Sequence, residues 1–298
     1  MEKPTLLVER PCSAILSVML IFYALLRKCI IAVVVLSIFQ TLQALESTVI
    51  TYPSLGKNRE IELFFPEGHD QSSKAPLMVL FHGGSWVQGS RDVLFPQCEY
   101  FAKLGIITVT VEYQLAAKKD RISYPNGEFK NVCIEDAHRA ISHLTNQADE
   151  LGADASQLVL GGNSAGGHIA FLVGQKLGEP SPAAYLLLNP AFQPDQKQHP
   201  AVDSIKNLKK KQPPIITFYG TNDKWHKGWL ALKKNIDVVG CENLHYFLAK
   251  GEGHGFFKKE PWFSAVNNES ARFLQKIGIY NKAMVFPEND FINVVESR

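Results

Sequence analysis

From about residue 45 onward the chain alternates short apolar runs with longer amphipathic ones. Val49–Tyr52 and Ile61–Phe65 are rich in β-branched and aromatic residues. They flank the turn signal Ser54-Leu55-Gly56-Lys57-Asn58, which predicts an antiparallel hairpin. Pro76–Phe81, Ile106–Tyr113, Gln157–Gly161, Ala183–Leu188, Ile215–Tyr219 and Leu244–Leu248 read as strands. Pro76–Phe81 and Ala183–Leu188 are continuously apolar, the mark of strands buried on both faces of a parallel sheet. Asp92–Leu104, Val132–Glu150, His168–Val173, Trp229–Val239 and Trp262–Ile277 have helical character. In the second of these Ile134, Ala137, Ile141 and Leu144 share one face. Residues 116–130 read as a polar surface loop, 192–212 as a polar, basic loop or cap region, and 280–298 as a weakly patterned, poorly ordered tail. A hairpin followed by alternating strands and helices predicts one doubly wound, mostly parallel α/β sheet covered by helices on both faces. No internal repeat or interdomain linker interrupts residues 45–298, so a single domain is expected there.

The first 44 residues are different. Residues 14–26 and 29–39 are apolar and are separated by Arg27-Lys28. In a single membrane span that pair would sit near mid-bilayer, at about 2.5–3.5 kcal/mol per charge. Read as a signal peptide, the pair is the positive flank and Cys29–Phe39 the apolar stretch. Gln40–Ala44 then leads to cleavage near Ala44, with Met19 as a candidate start. The alternative is an uncleaved membrane anchor. Both place the body outside the cytosol, as an exported (periplasmic or secreted) protein or as a tethered one.

Charge narrows the functional classes. The net charge is +2, and residues 1–44 carry four bases and two acids, so the remainder is neutral. A neutral body lacks the basic footprint of a nucleic-acid-binding protein. Beyond the leader the cysteines are Cys98, Cys133 and Cys241, an odd number. An exported protein can pair two of them, and Cys98–Cys133 is the expected pair, with three inert thiols the alternative. There is no CxxC, so no zinc or thioredoxin-like site is predicted.

The chemistry centres on Gly162-Asn163-Ser164-Ala165-Gly166, which follows a strand and opens a helix. Such a turn holds a serine hydroxyl above a sheet, and its glycines let strand and helix approach closely. A hydroxyl needs a base, and the base an orienting acid. Asp223 lies just past the carboxyl end of the strand at Ile215–Tyr219, where open α/β sheets bind ligands. His254 follows in the glycine-rich Gly251-Glu252-Gly253-His254-Gly255, with few structural duties of its own. Glu252 is the runner-up acid. His226 and His245 sit at a helix start and in a strand, and His138, His143 and His168 are helical. Asp195 and Asp203 come too early, and Asp136 reads as a cap or loop-organising carboxylate. Donors for a developing oxyanion are expected from His82-Gly83-Gly84-Ser85-Trp86, through the amides of Gly84 and Ser85, and from Ala165 beside the serine.

These residues carry a resemblance to the hormone-sensitive-lipase-like branch of the α/β-hydrolases, close to bacterial acetyl esterases and lipases. The matching stretches are His82–Trp86, Val111–Leu115, Glu135–Ala137, Gly162–His168, Thr221–Asp223 and Gly253–Phe256, across residues 46–280. The resemblance implies an α/β-hydrolase fold and carboxylester hydrolysis without a cofactor. Two positions depart from the family pattern: Ser85 stands where a third glycine is usual, and Gln114 where an arginine is usual. Ser85 still offers its amide; the missing arginine removes a brace of the loop before Pro125. The segment ahead of the core is short and 192–212 is polar, so short acyl groups are expected, such as acetyl esters of a carbohydrate or another polar small molecule. The alternatives are a serine peptidase of prolyl-oligopeptidase type, which normally brings a large accessory domain, and a non-catalytic binding module on the same fold.

Overall fold

In a computed structural model the chain divides into two units, Met1–Ala44 and Leu45–Arg298. The structure describes residues 47–281 except 73, 179 and 194–196, together with 291–296 and positions 23 and 27. The predicted leader and its cleavage point near Ala44 therefore lie outside the described residues, apart from Tyr23 and Arg27, which are helical. No helix among the described residues is long and apolar enough to cross a membrane.

The hairpin is formed by β1 (Ser47–Pro53) and β2 (Asn58–Phe64), with Ile50 opposite Ile61. The described strands β3 (Ala75–Phe81), β4 (Ile107–Val111), β5 (Ala153–Asn163), β6 (Ala184–Leu188), β7 (Ile215–Gly220) and β8 (Leu244–Ala249) complete a mostly parallel sheet in the order 1-2-4-3-5-6-7-8. Only β1–β2 and β2–β4 are antiparallel within it. The tail departs from expectation: Ile292–Glu296 forms β9, pairing antiparallel with the otherwise open edge of β8. An unsatisfied strand edge gains backbone hydrogen bonds from any segment that reaches it, whatever that segment's pattern.

Side chains alternate across the sheet, as the period of a strand requires. Leu77, Val79 and Phe81 of β3 enter one apolar layer, and Met78 and Leu80 the other. The first layer is closed by α2 (Asn131–Asn146), α3 (Ala165–Lys176) and α4 (His226–Val239), through Ile134, Ile141, Phe171 and Trp229. The second is closed by α1 (Phe95–Ala102) and α5 (Trp262–Lys276), through Phe101, Phe273 and Leu274. Each such side chain contributes about 1.5–3 kcal/mol on full burial.

This layering overturns the expected disulfide. Cys98 lies on α1 and Cys133 on α2, in the two different layers, and both are free and buried. Burial pushes both thiols well above their ordinary range. The loop at 116–130 is also less superficial than its polarity suggests. It makes one helical turn at Asp120–Ser123 and ends on Lys130, which is buried.

Candidate active site

Strand β5 ends at Asn163 and helix α3 begins at Ala165, so Ser164 alone makes the turn. It adopts φ 53° and ψ −119°, in the left-handed half of the map that a side chain rarely enters. The turn is held from outside: Ser164 donates its amide to Leu188 O at 3.0 Å, and its carbonyl accepts from Ala191 at 2.8 Å and His168 at 3.2 Å. It is also tight. A Cβ on Gly166 would lie 1.9 Å from the carbonyl oxygen of Phe81, so only glycine lets α3 start this close to β3.

The structure brings Asp223 and His254 to this serine. The Ser164 hydroxyl lies 2.8 Å from His254 Nε2, and His254 Nδ1 lies 2.8 Å from Asp223 Oδ2. Asp223 follows β7, and its side chain is fully buried whereas that of His254 is 35% exposed. The second oxygen, Asp223 Oδ1, accepts the Trp225 amide at 2.9 Å, which fixes the carboxylate plane. Glu252, the runner-up acid, is turned elsewhere and accepts the Trp262 indole N–H at 2.9 Å. With Nδ1–H donated to Asp223, the Nε2 lone pair is free to take the serine proton.

The loop after β3 supplies the other wall. Ser85 and Trp86 are consecutive residues with positive φ, 56° and 66°. Gly84, at φ +127°, has no room for a Cβ, which would fall 1.8 Å from Gln88 O. Several ties hold this conformation. The Gly83 amide donates to Asn163 Oδ1 at 2.9 Å, the Tyr113 hydroxyl to His82 O at 2.8 Å, and the Ala116 amide to Trp86 O at 2.8 Å. His82 stacks on Tyr113 at 4.4 Å, and burial lowers its basicity. Among the described residues the amides of Gly84, Ser85 and Ala165 donate to no protein acceptor. Asn163 was not singled out from sequence. Its place beside the serine was visible, but its partner Gly83 lies 80 residues away.

The position left by the missing arginine at 114 is served from the hairpin. Arg59 on β2 donates to Gln114 Oε1 and to Ser54 Oγ, and its guanidinium lies 3.7 Å from Asp136. Asp136 is the loop organiser anticipated from its position, although it lies inside α2. It accepts from Tyr52 at 2.7 Å, Ser54 at 2.6 Å and the Gln114 amide at 2.6 Å. Two of the other candidate histidines, His168 and His226, are engaged elsewhere. His168 is buried with Nε2 3.1 Å from Val202 O, and burial lowers its basicity. His226 packs between Tyr219 and Tyr246.

Trp86 carries the loop into the core. It meets His168, Phe129 and Trp225 edge to face, and the Lys130 ammonium lies 4.3 Å from its ring centre. Lys130 also donates to Gln193 Oε1 at 2.6 Å, and burial, reinforced by Arg121, pulls it down to about 7. An open cleft of about 680 Å³ lies over Ser164, walled by Gly84, Ser85, Gln88, Asn222, Lys224 and Trp225. No cluster of three His, Cys, Asp or Glu side chains that could hold a metal ion occurs among the described residues.

Comparison with known proteins gives a consistent set. A family model for the alpha/beta hydrolase fold matches residues 78–237. The chain is similar to the esterase LipI of Mycobacterium tuberculosis, 31% identical over 45% of this chain and 40% of that protein. It is similar to the carboxylesterase NlhH of the same organism, 35% identical over 34% of this chain and 29% of that one. Esterase LipQ, also from that organism, is 25% identical over 77% of this chain and 48% of its own length. The chain thus spans less than half the length of these curated relatives. Among solved structures, the propionate-bound thermophilic esterase of the Planctomycetes species Thermogutta terrifontis superposes with a TM-score of 0.70. It shares 22% identity over 81% of this chain and 98% of that one, a likeness of fold.

Proposed function

This chain belongs to the alpha/beta hydrolase fold family, and from that premise we propose that it is a serine carboxylesterase acting on short-chain, chiefly acetyl, esters. The observation that carries the reading is the unbroken contact chain Ser164–His254–Asp223, 2.8 Å at each step, opening into a cleft. Ser164 attacks the ester carbonyl while His254 Nε2 takes its proton. Asp223 holds the imidazole in the tautomer that leaves Nε2 free, and stabilises the imidazolium that results. The amides of Gly84, Ser85 and Ala165 receive the oxyanion, and each lowers the barrier by about 2.7–4 kcal/mol. The imidazolium then protonates the departing alcohol. The acyl group stays on Ser164 until a water, deprotonated by His254, releases it as the acid.

The polar groups on the walls of the cleft support a preference for short acyl groups and a polar carrier, such as a sugar. Gln88, Ser90, Asn222 and Lys224 present polar groups, and Val93 and Trp225 supply the larger apolar surfaces. That is little wall for a long alkyl chain, each methylene of which gains about 0.8 kcal/mol on burial. A panel of p-nitrophenyl esters from acetate to palmitate tests both parts. The expected optimum in kcat/KM is at two to four carbons. An optimum beyond about eight carbons contradicts the acyl assignment, and no hydrolysis of any ester contradicts the esterase itself. Export of the body belongs to the same reading, and N-terminal sequencing of the cell-derived protein checks it: a start near Leu45 is expected, and a start at Met1 or Met19 contradicts cleavage.

A further inference from the structure

The cleft over Ser164 carries charge of one sign. Its lining holds no aspartate or glutamate, and its ionisable side chains are Lys224, Lys258 and the catalytic His254. Residues 45–298 have equal numbers of acids and bases, so the excess is local. The carboxylates on the neighbouring loops do not neutralise it. Asp223 is turned inward to His254 and the Trp225 amide, and Glu252 accepts from the Trp262 indole. Glu260 accepts from the Ser264 hydroxyl at 2.7 Å. Among the described residues neither lysine forms an ion pair, whereas Lys74, Lys206, Lys211 and Lys233 each do. Both are exposed, and their nearest ring contacts are Trp225, 5.2 Å from Lys224 Nζ, and Phe257, 6.0 Å from Lys258 Nζ.

Their places in the chain indicate which half of an ester they face. Lys224 directly follows Asp223, and Lys258 ends the short turn Phe256–Lys258 that follows His254. Both stand on the loops that bring the acid and the base, while the oxyanion loop forms the other wall. The departing oxygen has to lie against His254 Nε2, which protonates it, so the alcohol portion occupies the histidine side. Trp225 lines the cleft beside Lys224 and offers an apolar surface to the ring of a sugar or a phenol.

We propose that the alcohol portion of the substrate carries a negative charge, as an acidic sugar does, and that Lys224 and Lys258 receive this charge while the ring rests on Trp225. The inference rests on the esterase reading above and names the substrate class of that site. Ammonium groups on flexible stems suit the task, because they accept a point charge without demanding one fixed geometry.

The test uses two acetyl esters that differ at one group of the alcohol, 4-acetoxybenzoate and its uncharged methyl ester. Hydrolysis of each is measured on the full chain in wild type, Lys224→Gln, Lys258→Gln and the double variant. The two phenols differ in intrinsic reactivity, so the quantity followed is the ratio of kcat/KM for the anionic ester to that for the neutral one, compared between proteins. A general loss of activity cancels in that ratio, and a merely structural role for the lysines leaves it unmoved. It is expected to fall about threefold in each single variant and about tenfold in the double variant. The fall should appear chiefly as a higher KM for the anionic ester, since the lysines hold its charge in the ground state and the transition state alike. If the double variant does not fold, the single variants decide. A ratio that is the same in the wild type and the folded variants overturns the proposal. Failure of the esterase reading is a separate result, namely a wild-type chain that hydrolyses neither ester.

Discussion

The two loops that face Ser164 are built on opposite plans. The loop at His82–Gly89 is largely buried and tied at several points, by Asn163, Tyr113 and Ala116, with Trp86 driven into the core. The loop at Gly251–Gly255 is largely exposed, and the His254 side chain reaches its partners, Ser164, Asp223 and Asn189, at its ring. The difference matches what each has to do. Amides that receive an oxyanion must already be aimed before charge develops, and rigidity provides that. An imidazole that alternately takes and gives a proton needs correct orientation through its own hydrogen bonds. Substitutions in the buried loop should therefore move stability and kcat together, whereas those along the histidine chain should move kcat with little change in stability.

The largest effect belongs to the histidine chain. Ser164→Ala should lower kcat by about 10⁶-fold on p-nitrophenyl acetate with an unchanged melting temperature. Asp223→Asn should cost about 10⁴-fold in kcat with KM nearly constant, because the wrong tautomer of His254 is favoured. If Glu252→Gln gives that loss and Asp223→Asn does not, the acid is misassigned.

On the buried loop the effects are smaller and mixed. Asn163→Ala releases the Gly83 amide and should lower kcat by about tenfold to a hundredfold. The same variant should lose about 1–2 kcal/mol in urea unfolding. Tyr113→Phe removes the bond to His82 O and should cost about 1 kcal/mol of stability with a few-fold loss in kcat. If either variant loses kcat with stability intact, the contrast between the loops fails.

The smallest effect sharpens the buried side through pH. Lys130, beneath Trp86, is pulled down to about 7 by burial, against an ordinary value near 10.5. Between those values the unfolded chain binds a proton that the folded one has released. The penalty of holding the ammonium is fully present below about pH 7 and fades as pH rises toward 10.5. Stability should thus rise from pH 7 to pH 9 in the wild type. Lys130→Met should flatten that rise, as read by melting temperature across the range, and an unchanged slope would show that the ammonium is not penalised.

What the sequence revealed and what it withheld divide along the same line. The serine turn, the His82 loop, Asp223 and His254 are each announced by a few adjacent residues whose backbone demands or chain position are distinctive. The sheet was legible because runs such as Pro76–Phe81 have no other use. Ties between distant residues were not legible. Asn163 to Gly83, Asn189 to His254, and Arg59 at the place of an absent arginine all depend on which strands lie side by side. The same holds for the failed pairing of Cys98 with Cys133. Spacing along the chain does not tell on which side of a sheet a helix will pack, and here the two helices take opposite sides. β9 was missed because a strand recruited by an open edge needs no pattern of its own.

The most direct measurement is covalent. The folded full chain is treated with a fluorophosphonate probe, digested, and the modified residue located by mass spectrometry, alongside His254→Gln and Ser164→Ala. A single adduct on Ser164 is expected, slowed by orders of magnitude in His254→Gln and absent in Ser164→Ala. An adduct on another residue, or a folded wild-type chain that takes no label, would contradict Ser164 as the nucleophile.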